Sequence, residues 1–257
     1  MIKQFLKKKI SYTTKGKLRR LFIEGKAIIA QYSLNKLGKI YATDKVGSHH
    51  YTQHYNTHFK KHRLKRINLL EIGVGGYSNP SAGGNSLRMW KRYFPFGKIY
   101  SIDIYDKSAL QEKRIKIFKG SQVDVDFLEQ VADEIGQIDF IIDDGSHINE
   151  HVIKTFQILF PKLKEHGIYV IEDTQTSYWE EYGGSSKDLN KSDTIMNYFK
   201  SLIDSLNHQE FIIPNYKPSY YDQKIISMHF YHNLIFIYKG NNDEISNILV
   251  NNQMPNI

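Results

Sequence analysis

Two stretches decide the fold: QIDFIIDDGSH (137–147) and IYVIED (168–173). Each is an apolar run of β-formers that closes on an acidic doublet, Asp143-Asp144 in the first and Glu172-Asp173 in the second. Runs apolar on both faces read as buried parallel strands, and open α/β sheets gather their ligands at the carboxyl ends of such strands. Carboxylates crowded there repel one another and raise each other's pKa, so a hard divalent cation is their natural neutraliser. Asp144, Glu172 and Asp173 offer oxygen ligands of the kind Mg²⁺ takes, with positions to spare for a substrate. His147 follows Asp144 by one short turn, and an imidazole with an intrinsic pKa of about 6.5 can take the proton of a bound hydroxyl.

Outward from these strands, β and α patterns alternate. INLLEIGV (67–74), KIYSIDIYD (98–106) and RIKIFKG (114–120) are predicted strands. SLRMWKRYF, DVDFLEQVADEI (124–135), NEHVIKTFQILFPKLKEHG (149–167, broken near Pro161) and SDTIMNYFKSLIDSLNH (192–208) are predicted helices. KIISMHFYHN and LIFIYKG meet at His232-Asn233 as a hairpin. This order predicts a Rossmann-like α/β fold, a mostly parallel seven-stranded sheet with an antiparallel C-terminal edge hairpin. The loop from Thr174 to Lys191 is long enough to be a lid. Residues 1–40 read as helix, with Leu18, Leu21, Phe22, Ile28, Ile29, Tyr32 and Leu37 in helical spacing and Gly38 as the stop; 41–66 read as a His- and Tyr-rich linker. Two units follow: a helical N-terminal extension and cap over 1–66, and a cofactor-binding catalytic domain over 67–257.

The turn after the first strand runs Glu71-Ile72-Gly73-Val74-Gly75-Gly76. Glycine lets the backbone approach a ligand closely. The dinucleotide fingerprint needs a third glycine where Ser78 stands, so it fails. Glu71 suits the ammonium of an amino-acid tail better than a pyrophosphate. Asp103, late in the second strand, is placed to accept from ribose hydroxyls, and Ser121-Gln122 at the next strand end completes a nucleoside pocket.

The 257 residues contain no cysteine, which excludes disulfides, thiolate catalysis and Cys-based zinc. No apolar stretch approaches the roughly 20 residues of a membrane span, and the basic start lacks a signal-peptide core. A cytoplasmic location is the expectation. The +8 charge is concentrated before residue 67, which points to an anionic acceptor, an anionic membrane or nucleic acid. The aromatic spacing of RNA-binding sheets is missing, so no stable nucleic-acid partner is expected. His49, His50, His54, His58 and His62 could bind zinc, but with Tyr51, Tyr55 and Phe59 interleaved they read as packing or substrate contact.

LLEIGVGGYSNPSAGGNSLRMWKRYFPFGKIYSIDIYDKS, FKGSQVDVDFL, IDFIIDDGSHINEHV and YVIEDTQTSYW closely resemble class I S-adenosylmethionine-dependent methyltransferases, nearest to the metal-dependent sugar O-methyltransferases of the mycinamicin and tetracenomycin type. YATDKVGSHHYTQHYNTHF resembles the family's segment before the first strand. The resemblance implies S-adenosylmethionine and Mg²⁺ as cofactors. Glu71, Gly73 and Gly75 would hold the methionine part, Asp103 the ribose, Ser121 and Gln122 the adenine, and Asp143 would frame the cofactor. Asp144, Glu172 and Asp173 would bind the metal, with His147 as general base. Thr43, Asp44 and Lys45 match a segment expected to fold over the cofactor. The expected activity is O-methylation of a sugar hydroxyl in a surface polysaccharide or a glycosylated metabolite. The alternatives are another anionic acceptor of phosphate or phosphoramidate type and, further off, RNA methylation. The expected partner is thus a small-molecule or glycan acceptor, and a homo-oligomer is one arrangement this reading admits. The first 40 residues are short beside the auxiliary domain of macrolide-type relatives.

Overall fold

The computed structural model describes residues 12–255, so the first part of the expected N-terminal helix lies outside the described residues. Helices α1 (Tyr12–Ala30), α2 (Leu34–Tyr41) and α3 (Tyr51–Phe59) precede the first strand. Where one helix was expected up to residue 40, there are two. Ser33 breaks them apart, adopting an extended conformation and accepting from Lys36 N at 3.3 Å as the cap of α2. Gly38 lies inside α2 and is not its stop; an added Cβ would sit 2.8 Å from Val46 Cγ1, so close packing asks for glycine there. The stop comes at Ala42, in the left-handed region at φ 56°. The linker expected over 41–66 contains α3.

The alternating segments then follow as β1 (Asn68–Ile72), α4 (Asn85–Tyr93), β2 (Lys98–Asp103), β3 (Ile115–Lys119), α5 (Val125–Ile135), β4 (Ile138–Asp143), α6 (Asn149–Leu159) and β5 (Leu163–Glu172). After α7 (Ile195–Ser201) and α8 (Tyr220–Lys224), the chain closes with β6 (Ile225–Tyr231) and β7 (Leu234–Lys239). Three boundaries differ from the sequence reading. Helix α6 ends at Leu159, short of Pro161, which cannot continue it. Strand β5 begins at Leu163 rather than at Ile168, with a register shift against β4 between Ile138 and Phe140. Helix α7 is shorter than expected: Thr194 caps it, accepting from Asn197 N at 3.3 Å, and the chain passes into 3₁₀ turns over Asp204–Glu210.

The sheet order is β3-β2-β1-β4-β5-β7-β6, parallel from β3 to β5, with β7 antiparallel to both β5 and β6. The hairpin turns at Asn233, whose φ of 60° suits an asparagine. Strand order reverses between β1 and β4, which opens a crevice at their carboxyl ends. One face of the sheet packs on α5, α6 and α7 through Leu128, Val131, Phe156 and Phe199. The other packs on the N-terminal segment: Leu37, Tyr41, Tyr55 and Phe59 share a core with Trp90, Phe140 and Phe236. Burying side chains of this size contributes about 2 kcal/mol or more each. That packing seats α3 against the carboxyl end of β5, where Tyr51 and Tyr55 bond to Asp173 and Glu172.

Candidate active site

At the end of β1 the chain turns on Gly73, with φ 95°. A Cβ there would collide with the Asp144 carbonyl oxygen, so the two loops meet backbone to backbone. Gly75 also has positive φ, and a Cβ there would meet nothing within 4 Å. Asp103 ties this turn to β2: its Oδ2 accepts from Val74 N at 3.0 Å and its Oδ1 from Tyr105 N at 2.8 Å. A carboxylate has further lone pairs to offer a ligand.

Gln122 is buried and braces the neighbouring loop. Its Oε1 accepts from Ser146 N at 2.7 Å, and its Nε2 donates to Thr155 Oγ1 at 3.0 Å and to Asp143 Oδ1 at 3.3 Å. Ser121 Oγ accepts from Val123 N at 3.3 Å. Burial pushes the Asp143 carboxyl up to about 7, against the donors from Gly145 and Gln122.

Lys45 is fully buried among acids. Its Nζ lies 2.6 Å from Asp144 Oδ2, 2.7 Å from Glu172 Oε1 and 3.2 Å from Glu71 Oε1. Thr43, also buried, accepts from Lys45 N at 3.5 Å and donates to Asp44 at 3.3 Å. Burial works against the Lys45 ammonium, but Asp144, Glu172 and Glu71 outweigh it and hold its pKa well above the ordinary lysine range. Tyr55 donates to the same Glu172 oxygen at 2.5 Å. Burial and Asp144 push Glu172 upward, against the pull of Lys45 and Tyr55. Burial likewise raises Glu71 to about 7. Its contact with Lys45 is an ion pair without good alignment, and neither of its oxygens accepts a well-directed hydrogen bond from the described residues.

Asp144, His147 and Asp173 each bring one ligand atom to within 4.8 Å of the others. His147 Nε2 is 3.6 Å from Asp173 Oδ2. Glu172, expected beside them, turns to Lys45 and Tyr55. His147 and Asp173 both hold left-handed backbone, at φ 57° and 55°, which costs about 1 kcal/mol or more apiece. Tyr51 donates to Asp173 Oδ1 at 2.7 Å and approaches Asn233 O at 3.1 Å, and His49 Nδ1 lies 3.7 Å from Asp173 Oδ1. Sequence reasoning names His49 only among the histidines read as packing or substrate contact and gives Tyr51 and Tyr55 no site role of their own, although the helical spacing of the two tyrosines puts their hydroxyls on one face.

The donor set fits the implied groups. Glu71, Asp144, Glu172 and Asp173 gather where a single lysine reaches three of them. That surplus of negative charge, made of hard oxygens, suits Mg²⁺. Glu71, buried and short of donors, suits an ammonium beside the open Gly75 turn.

Asn149 pins the loop after Asp173. Its Nδ2 donates to Thr176 O at 3.0 Å and Tyr182 O at 2.8 Å, and its Oδ1 accepts from Ile195 N at 2.7 Å. The segment expected to be a lid is thus anchored at both ends. The histidines of α3 serve packing. His58 pairs with Tyr238 at 2.7 Å and Tyr231 at 3.0 Å and stacks on Phe236, while His54 stacks on Tyr231.

The strand order and the crevice define a class I methyltransferase fold. No protein-family model matches the chain. It is 48% identical over 213 residues to the mycinamicin VI 2''-O-methyltransferase of Micromonospora griseorubida, across 82% of this chain and 53% of that protein. It is 45% identical over 203 residues to the 8-demethyl-8-alpha-L-rhamnosyl tetracenomycin-C 2'-O-methyltransferase of Streptomyces olivaceus, across 79% and 53%. The solved structure of MycE methyltransferase from the mycinamycin biosynthetic pathway, in complex with Mg, SAH and mycinamycin VI, matches with a TM-score of 0.79 at 47% identity, over 83% of this chain and 55% of that one. The chain spans about half the length of the curated relatives it matches. Its fold is that of the class I methyltransferases, and over most of its length it is similar to the sugar O-methyltransferases of the mycinamicin and tetracenomycin type. No helix among the described residues is long and apolar enough to cross a membrane.

Proposed function

We propose that this chain transfers a methyl group from S-adenosylmethionine to a sugar hydroxyl, with Mg²⁺ as its metal. The observation that carries the reading is the convergence of Asp144, His147 and Asp173 within 4.8 Å, beside the Gly73 turn. When bound, S-adenosylmethionine supplies an activated methyl group, and Mg²⁺ lowers the pKa of a coordinated hydroxyl. Glu71 takes the cofactor's ammonium, Asp103 its ribose, and Gly73 and Gly75 give the backbone room; Asp143, Ser121 and Gln122 shape the base end. Asp144 and Asp173 would hold the metal together with Glu172, which would have to give up its bond to Lys45 to join them, and Thr43 and Lys45 close the site from the N-terminal segment. His147 receives the acceptor's proton at Nε2, the nitrogen on the Asp173 side. The hydroxyl oxygen is then free to attack in line.

The acceptor is a sugar unit of a glycosylated metabolite or a surface polysaccharide. The names of the relatives support the glycoside, and the basic N-terminal third supports an anionic version of either acceptor. An acceptor screen with labelled cofactor, run with Mg²⁺ and with EDTA, tests the reading. Label should enter a glycoside only when metal is present; turnover that persists in EDTA with no metal retained removes the metal role.

A further inference from the structure

We infer that Lys45 is a built-in counter-cation, which keeps the carboxylate cluster assembled without metal and holds metal affinity down. This rests on the metal reading above. The ammonium is fully buried and reaches Asp144, Glu172 and Glu71, residues from three different strand ends. Without a cation, Glu71 and Glu172 would be buried unpaired and all three carboxylates would repel one another. Two of the three, Asp144 and Glu172, are also assigned to the metal. A divalent ion there shares its ligands with a fixed positive charge at contact distance, and like charges so close repel strongly in a buried site. Lys45 is thus a positioning residue with opposite effects on the two states: it stabilises the metal-free fold and weakens the metal-bound one.

The test uses the full chain with Lys45→Met, Lys45→Gln and the double variant Lys45→Met/Glu172→Gln. Melting temperature is read in EDTA and in MgCl₂, and Mn²⁺ affinity by electron paramagnetic resonance. In EDTA, Lys45→Met and Lys45→Gln should melt lower by about 10 °C, as expected for breaking a buried ion cluster in a domain of this size. Metal should restore much of that loss, and Mn²⁺ should bind about tenfold more tightly. The double variant, which removes one charge of each sign, should recover metal-free stability. Three results overturn the inference: wild-type melting of Lys45→Met in EDTA, unchanged or weaker Mn²⁺ binding, or loss of fold in all three variants whether or not metal is present. No Mn²⁺ uptake by the wild type would remove the metal reading and the inference with it, a failure told apart from the others by its appearance in the unmutated protein.

Discussion

Two polar clusters flank the carboxyl end of β5, and they differ in how well their groups are satisfied. Around His58, both ring nitrogens pair with tyrosine hydroxyls and the ring stacks on Phe236. Around Asp173, backbone is held left-handed, Glu71 lacks well-directed hydrogen bonds, and acids outnumber the one lysine that reaches them. The first cluster is complete without a ligand. The second stores conformational and electrostatic energy that only a bound group would recover, which is how a site differs from architecture.

The sharpest way to break this contrast is His147→Ala. Turnover should fall about 100- to 10,000-fold while calorimetry shows cofactor binding retained; unchanged turnover would end the base assignment. Gly73→Ala comes next. Its Cβ would collide with the Asp144 carbonyl at positive φ, so denaturant melts should show a loss of about 2–3 kcal/mol.

On the satisfied side, His58→Phe probes pH. Burial, with His229, His54 and Lys61, pushes the His58 imidazole down to about 4. Between there and the ordinary value of 6.5, the folded state binds fewer protons than the unfolded one. The stabilisation this gives is present above about pH 6.5 and lost as pH falls through about 4. With allowance for relaxation of the tyrosines around the ring, the wild type should lose about 1–2 kcal/mol more than His58→Phe between about pH 7 and 4 in urea melts. An equal loss in both proteins would assign the acid sensitivity elsewhere. The smallest effect belongs to His54→Ala, which removes a stack on Tyr231 and should cost less than about 1 kcal/mol with turnover intact. A large loss of turnover there would blur the distinction between the clusters.

The strands are legible because apolar runs such as IIDD and YVIED need no tertiary information to be read. The early start of β5 is hidden, since Lys164, Glu165 and His166 are polar and take part in the strand through a register shift. The acids of the site are visible at strand ends. Their partners are not: Lys45 meets Asp144 across 99 residues and Glu172 across 127, a pairing no local pattern records. The histidine cluster shows the converse. Spacing suggests a shared face, and only the hydroxyls of Tyr231 and Tyr238 reveal what His58 does there.

Asn149 decides what kind of segment follows β5. One buried amide fastens the loop at Thr176 and Tyr182 on one side and at Ile195 on the other. The arc from Gly183 to Thr194 is itself tied down between these posts: Ser185 N donates to Ser177 O at 3.0 Å, Asn197 of α7 donates to Leu189 O at 2.7 Å and Lys191 O at 3.0 Å, and Thr194 caps that helix. It is a strap rather than a flap: loosening it means breaking bonds to α6 and α7 together.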